Sequence, residues 1–76
     1  MFNEMKYIVF DYNDVIIFPN WFDHSETARK FNRNVSSAGF VNFNNNKVRA
    51  YGQSLSLKIK SRPEDSDLIS KMILED

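Results

Sequence analysis

The chain has 76 residues, ten Lys plus Arg against ten Asp plus Glu, 42% apolar residues, 14% aromatic residues and no cysteine. This length suits one compact domain spanning residues 1–76. The missing thiols exclude a disulfide scaffold or a Cys-based zinc module, and the apolar and aromatic content excludes a disordered tail. The longest apolar run, Val15–Phe18, stops at Pro19, far short of the ~20 residues a membrane span needs. Glu4 precedes Lys6 and no apolar leader segment follows, so the expectation is a cytoplasmic protein without membrane partners. So short a chain buries only roughly 60% of its unfolded surface, and modest stability is expected unless a partner adds to the core.

Lys6–Phe10 and Val15–Phe18 are β-branched and aromatic runs around Asp11-Tyr12-Asn13-Asp14. Asn and Asp accept the left-handed backbone of tight turns, so this segment predicts a β-hairpin. Met1–Glu4 adds nothing to that strand pattern, and Met5 suits a start position. Past Pro19-Asn20, Asp23 or Ser25 offers an N-cap, with Glu26 placed for a capping box. A short helix over His24–Asn32 is expected, with Ala28 and Phe31 facing inward and Trp21 and Phe22 pinning its entry against the sheet.

Val35–Phe43 predicts a third, central strand, with Val41 and Phe43 on one face and Ala38 and Phe40 on the other. Asn44-Asn45-Asn46 makes a turn, and Val48-Arg49-Ala50-Tyr51 starts a return strand. Val48 and Ala50 are even-numbered, whereas Leu55, Leu57 and Ile59 are odd. A single flat strand would send the two sets to opposite faces, so Gly52-Gln53 must reset the register. One long bent strand is the favoured reading of 48–60, and a tight hairpin the alternative. Ser61 or Arg62 ahead of Pro63, followed by Glu64, Asp65 and Asp67, opens a last helix, with Leu68, Ile69, Met72 and Ile73 as its apolar stripe. The expected class is α+β: an antiparallel sheet of four to five strands with two helices packed on one face, in the order ββαββ(β)α.

Charge is partitioned along the chain. Residues 29–62 hold eight bases and no acid, while 1–28 and 63–76 each hold one base and five acids. Arg49, Lys58 and Lys60 on one solvent face, with Tyr51 or Phe40 nearby, would form a basic platform for a phosphate backbone and stacked bases. The blander reading pairs these strands with the acidic hairpin and helix, and the overall neutrality argues against a dedicated nucleic-acid binder. Asp11 and Asp14, with Asp23 and Glu26, form an acidic counterpart able to dock on a basic groove of a protein. Solvated turns and helix ends account for most of these acids without any function.

The case for catalysis is thin. Tyr7–Val15 resembles the first motif of the haloacid dehalogenase-like phosphatases, a hydrophobic strand ending in an Asp-x-Asp pair. Asp11 matches the nucleophile, but Asn13 stands where the second Asp belongs, and the chain is too short for that family's doubly wound domain. A metal set of Asp11, Asp14, Asp23 and His24 has suitable donor types, although a lone histidine beside a helix start usually has a structural role. Gly39 and Gly52, the only glycines, form no phosphate loop; they suggest a bulge or close backbone approach. The reading is of a non-enzyme with no cofactor and no metal.

Taken whole, the chain resembles short, mostly uncharacterised open reading frames carried by bacteriophages and mobile elements of Gram-negative bacteria. The matching segments are Met5–Phe10, Phe18-Pro19 with Asp23-His24, Val35–Phe40, Tyr51–Leu57 and Ser61–Asp65. The resemblance implies a phage-type accessory protein in the host cytoplasm, an inhibitor of a bacterial defence complex of the anti-CRISPR kind. Its partner would be a host protein or ribonucleoprotein complex. One face of roughly 800 Å² suffices for a standard interface. The candidate contacts are Arg49, Tyr51, Lys58 and Lys60, or the acidic Asp11 and Asp14. The alternative is a small nucleic-acid-binding module using segment 29–62. A homodimer is a further expectation, through an exposed first or third strand.

Overall fold

The computed structural model describes residues 4–74, the side chain of residue 74 excepted. In chain order the elements are β1 (Glu4–Phe10), β2 (Asp14–Phe18), α1 (His24–Arg29), β3 (Val35–Asn44), β4 (Lys47–Tyr51), β5 (Gln53–Ser54), β6 (Ile59–Lys60) and α2 (Asp65–Leu74). The first four strands form one antiparallel sheet in the order β2-β1-β3-β4, and β5 pairs with β6 in a second, two-stranded sheet. The α+β class expected from the sequence is the one observed.

Left-handed backbone at the two turns of the larger sheet falls on Asp and Asn, which tolerate it, and also on Tyr12, which does not favour it. At the first hairpin Asp11 and Tyr12 have φ of 52° and 64°, and the Asn13 N–H donates to the Phe10 carbonyl at 3.1 Å. The Asp11 N–H donates to the Asn34 carbonyl and the Tyr12 N–H to Ser36 Oγ, which fastens the hairpin tip onto the start of β3. Asn45 and Asn46, at φ 51° and 68°, make the β3–β4 turn, as asparagine's tolerance of the left-handed region allows.

Alternation along β1 divides the core in two. Tyr7 and Val9 point to one face and pack with Val41 and with Ile69 of α2. Ile8 and Phe10 point to the other and pack with Phe18, Ala38, Ala28 of α1, and Leu57 and Ile59 of the β5–β6 segment. The two helices therefore lie on opposite faces of the sheet, not on one. The reason lies in β1 itself: all four residues from Tyr7 to Phe10 are completely buried, and a central strand apolar on both sides needs a cover on each.

Further expectations are corrected. Glu4 is part of β1, opposite Asn42, so the strand begins before Met5. Helix α1 ends at Arg29 instead of Asn32, and Asp23 caps it without a side-chain hydrogen bond. Phe31 is 42% exposed although its ring reaches Phe10, and Trp21 and Phe22 project into solvent instead of pinning the helix. The strands at the sheet's ends are β2 and β4; the first and third are interior.

Residues 53–60 form neither one long bent strand with β4 nor a hairpin turning at Gly52-Gln53. They double back on themselves, β5 pairing with β6 around a turn at 55–58, while β4 pairs with β3. Gly52 takes φ +79° and turns the chain out of β4, and Lys58 takes φ +58° in the loop between β5 and β6. The Leu55/Leu57/Ile59 alternation does not mark a strand: Leu55 is 79% exposed while Leu57 and Ile59 pack inward. Gly39 permits this crossing, because a Cβ there would come within 2.5 Å of the Tyr51 carbonyl oxygen.

Helix α2 is anchored by a buried polar cluster. Tyr7 donates its hydroxyl proton to Asp65 Oδ2 at 2.6 Å, and the Arg62 N–H donates to the same oxygen at 2.9 Å. Arg62 Nε reaches Asp65 Oδ1 at 3.0 Å. The carboxylate thus returns to the backbone N–H three residues earlier, as in half of a capping box, with Pro63 in the first turn. Burial alone would raise the Asp65 pKa, but the Arg62 N–H and the Tyr7 hydroxyl outweigh it and hold the carboxyl below its ordinary range. Burial pushes the Tyr7 hydroxyl up, and the adjacent Asp65 pushes it further. Of the predicted stripe, Leu68 and Ile69 meet the sheet, whereas Met72 and Ile73 are 47% and 39% exposed.

Candidate interaction face

One register row crosses the sheet on the face that carries α1: Phe18 on β2, Lys6 on β1, Phe40 on β3 and Tyr51 on β4. Lys6 is the one charged member, and it leaves the row by donating Nζ to the Phe22 carbonyl at 2.7 Å. His24, the first residue of α1, contributes a ring to the row. Its ring meets Phe18 edge-on at 5.5 Å and Phe40 edge-on at 5.8 Å. Phe40 in turn stacks on Tyr51 at 6.1 Å, and the Arg49 guanidinium lies over the Tyr51 ring at 5.6 Å. The result is an unbroken aromatic row across the sheet, ended by a cation.

The row is fixed by polar contacts at both ends. His24 Nε2 lies 2.8 Å from the Gly39 carbonyl; a carbonyl only accepts, so this nitrogen carries the proton. Burial lowers the His24 pKa, against the opposing pull of the Gly39 bond, which leaves the imidazole neutral near pH 7. At the other end the Tyr51 hydroxyl donates to the Glu4 carboxylate. The Ser25 N–H donates to Ser56 Oγ and ties α1 to the β5–β6 hairpin.

Between α1 and that hairpin lies a groove of about 570 Å³, floored by His24, Phe40 and Tyr51 and walled by Glu4, Asp23 and Leu55. Large apolar side chains project beside it. Leu55 is 79% exposed on one wall; Trp21 and Phe22, directly ahead of Asp23, are 77% and 45% exposed and touch each other at 6.2 Å between ring centroids. Beyond Tyr51 the same sheet face turns polar. Asn42, Asn44, Asn45, Lys47 and Arg49 line a smaller depression of about 430 Å³.

The six contact residues proposed from sequence are thereby distributed over three places. Arg49 and Tyr51 lie together on β4, Tyr51 lining the groove and Arg49 the neighbouring polar depression. Lys60 is opposite Gln53 in the small hairpin and exposed, while Lys58 occupies that hairpin's loop. Lys47, Lys58 and Lys60 enter no ion pair among the described residues. Asp11 and Asp14 sit elsewhere, at the hairpin tip, and Arg33 Nη2 bridges them at 2.7 and 2.5 Å. One guanidinium thus faces two half-exposed carboxylates and offsets half of their charge. The donor set Asp11, Asp14, Asp23 and His24 does not assemble: among the described residues no three His, Cys, Asp or Glu side chains converge on a metal position. No described helix is long and apolar enough to cross a membrane.

Lys6, His24, Phe40 and Leu55 belong to the face by register and by the hairpin crossing. The sequence carried one usable signal for them: Lys6, Phe18 and Phe40 share a parity that the hairpin pairing brings into line. No protein-family model, no curated protein and no solved structure matches this chain.

Proposed function

We propose that this chain is a non-enzymatic interaction protein that docks on a protein partner through the aromatic groove. The supporting observation is the exposure of Trp21 and Leu55, at 77% and 79%, beside a groove already floored by aromatic rings. Exposed aromatics next to a preformed depression are the usual composition of an interface hot spot. The resemblance to short phage reading frames supports a narrower form of the proposal, in which the partner is a host defence complex and the protein inhibits it in the host cytoplasm. The test is affinity capture from a host lysate after nuclease treatment, with wild type beside a Trp21→Ala/Leu55→Ala variant. A stoichiometric protein retained by the wild type and lost by the variant, at least tenfold, is the expected result. Equal capture by both, or none by either, overturns the assignment of this face.

The exposed bases favour a second reading, a nucleic-acid module using Arg49, Tyr51, Lys58 and Lys60. It expects binding that weakens steeply with salt and is abolished by Arg49→Glu/Lys58→Glu. Glu4, in the same register row as Arg49, opposes it by placing a carboxylate on the platform.

A further inference from the structure

The two edges of the four-stranded sheet differ. At the β4 edge the Ala50 N–H donates to Ser66 Oγ at 2.8 Å, and Lys47 and Arg49 supply charge. Strand β2 has a single hydrogen-bonded neighbour, β1. After Asp14 it carries no charge, and Val15, Ile16 and Ile17 are each half-buried. Natural sheets block such edges with charges, bulges or prolines; here the first proline, Pro19, comes only after the strand ends.

We infer that β2 pairs antiparallel with β2 of a second copy of this chain, joining two sheets into one of eight strands about a twofold axis at Ile16. The register is self-complementary. Ile16 would face its own copy on the groove side of the sheet and Val15 would face Ile17 of the other copy on the α2 side, so the three central pairs are apolar, and Asp14 at each end would lie opposite Phe18 of the other copy. Either hydrogen-bonding phase of Ile16 satisfies this register, because an antiparallel ladder can be centred on a bonded or a non-bonded pair. A partner strand of unrelated sequence has no such built-in match. Each β2 is five residues long, so the contact falls below the standard interface of about 1,600 Å², and self-association is expected in the range of roughly 10–500 µM. Trp21 and Leu55 take no part in the pairing, so this inference stands apart from the proposed docking role.

Sedimentation equilibrium on the wild-type chain tests it, with a rise from 9.0 kDa toward twice that mass as concentration increases to 1 mM. The axis makes a sharper test. Ile16→Lys and Ile16→Glu should each be monomeric at 1 mM, since each puts like charges opposite one another, and an equimolar mixture of the two should dimerise. A wild type that stays monomeric at 1 mM overturns the pairing. So does a dimer that survives Ile16→Lys but is lost on Trp21→Ala. Should the charged variants fail to fold by circular dichroism, the wild-type mass and a Trp21→Ala control decide between the same outcomes.

Discussion

Tyr7 and Asp65 show how one buried hydrogen bond ties the chain's ends together. Both are fully buried and 58 residues apart, so the bond joins β1 to α2. Tyr7→Phe removes the hydroxyl and leaves the carboxylate short of a donor, which costs about 1–3 kcal/mol of stability; chemical denaturation measures it, and Asp65→Asn in the same background gives the coupling. Acid acts at the same place. Because the folded Asp65 pKa lies below its unfolded value, its contribution is present at neutral pH and is lost as pH falls through the folded value. His24 acts at higher pH with the same sign. Its folded pKa is depressed below 6.5 by burial, so on acidification the unfolded chain takes up that proton first and stability declines as pH drops below 6.5. The urea midpoint should fall between pH 7.5 and pH 5; His24→Gln should flatten that interval and leave the acid limb below pH 4 intact.

Among the elements, the β5–β6 hairpin departs most from what periodicity suggests. Alternation made Leu55, Leu57 and Ile59 equivalent, but the hairpin buries only the last two in part. Ile59→Ala should cost roughly 1 kcal/mol for its half-buried side chain, whereas Leu55→Ala should stay within about 0.5 kcal/mol. Thermal melts of the two variants check this, and equal losses would restore the long bent strand. The element's identity was open in the sequence because parity shows that a register reset is needed, not whether the chain bends or doubles back. Left-handed geometry at Gly52 and Lys58 decides for doubling back. Lys58 gave no warning, since lysine is not a residue that marks such a position. By contrast, the first hairpin, the central third strand and the asparagine turn were legible, because β-prone runs there meet Asp- and Asn-containing turns, although at the first turn one of the two left-handed positions is Tyr12.

At the scale of the molecule, two small cores share one strand. Tyr7, Val9, Val41 and Ile69 form one, and Ile8, Phe10, Phe18 and Ala38 the other. β1 supplies both, so neither face can open alone without exposing a strand buried on both sides. Ile69 is fully buried and is the apolar residue of α2 completely inside among the described residues, beside the buried carboxylate of Asp65. Ile69→Ala should cost about 2–5 kcal/mol, a large part of the roughly 4–11 kcal/mol expected for a domain of this length. Calorimetry should show a single transition whose midpoint falls by ten degrees or more. Two separate transitions would mean that the cores melt independently.

The candidate face was only partly readable for the same reason. Arg49 and Tyr51 could be singled out because charge and aromaticity are properties of the residues themselves. That Phe18, Phe40, His24 and Tyr51 form one row depends on register, and register follows from which strands pair. The opposition of Asp11 and Asp14 to Arg33 is likewise a contact across 22 and 19 residues that charge counting could only suggest. By itself the sequence determined the four strand runs of the larger sheet, its two hairpin turns, the α+β class and the need for a register break at Gly52-Gln53, because these follow from local propensity and period. Tertiary structure alone decided which face each helix covers, which acids are paired, which edge stays open and where Trp21 and Leu55 stand. Those are outcomes of long-range packing, in which a buried central strand must be covered on both sides by whatever segments the chain can bring back to it.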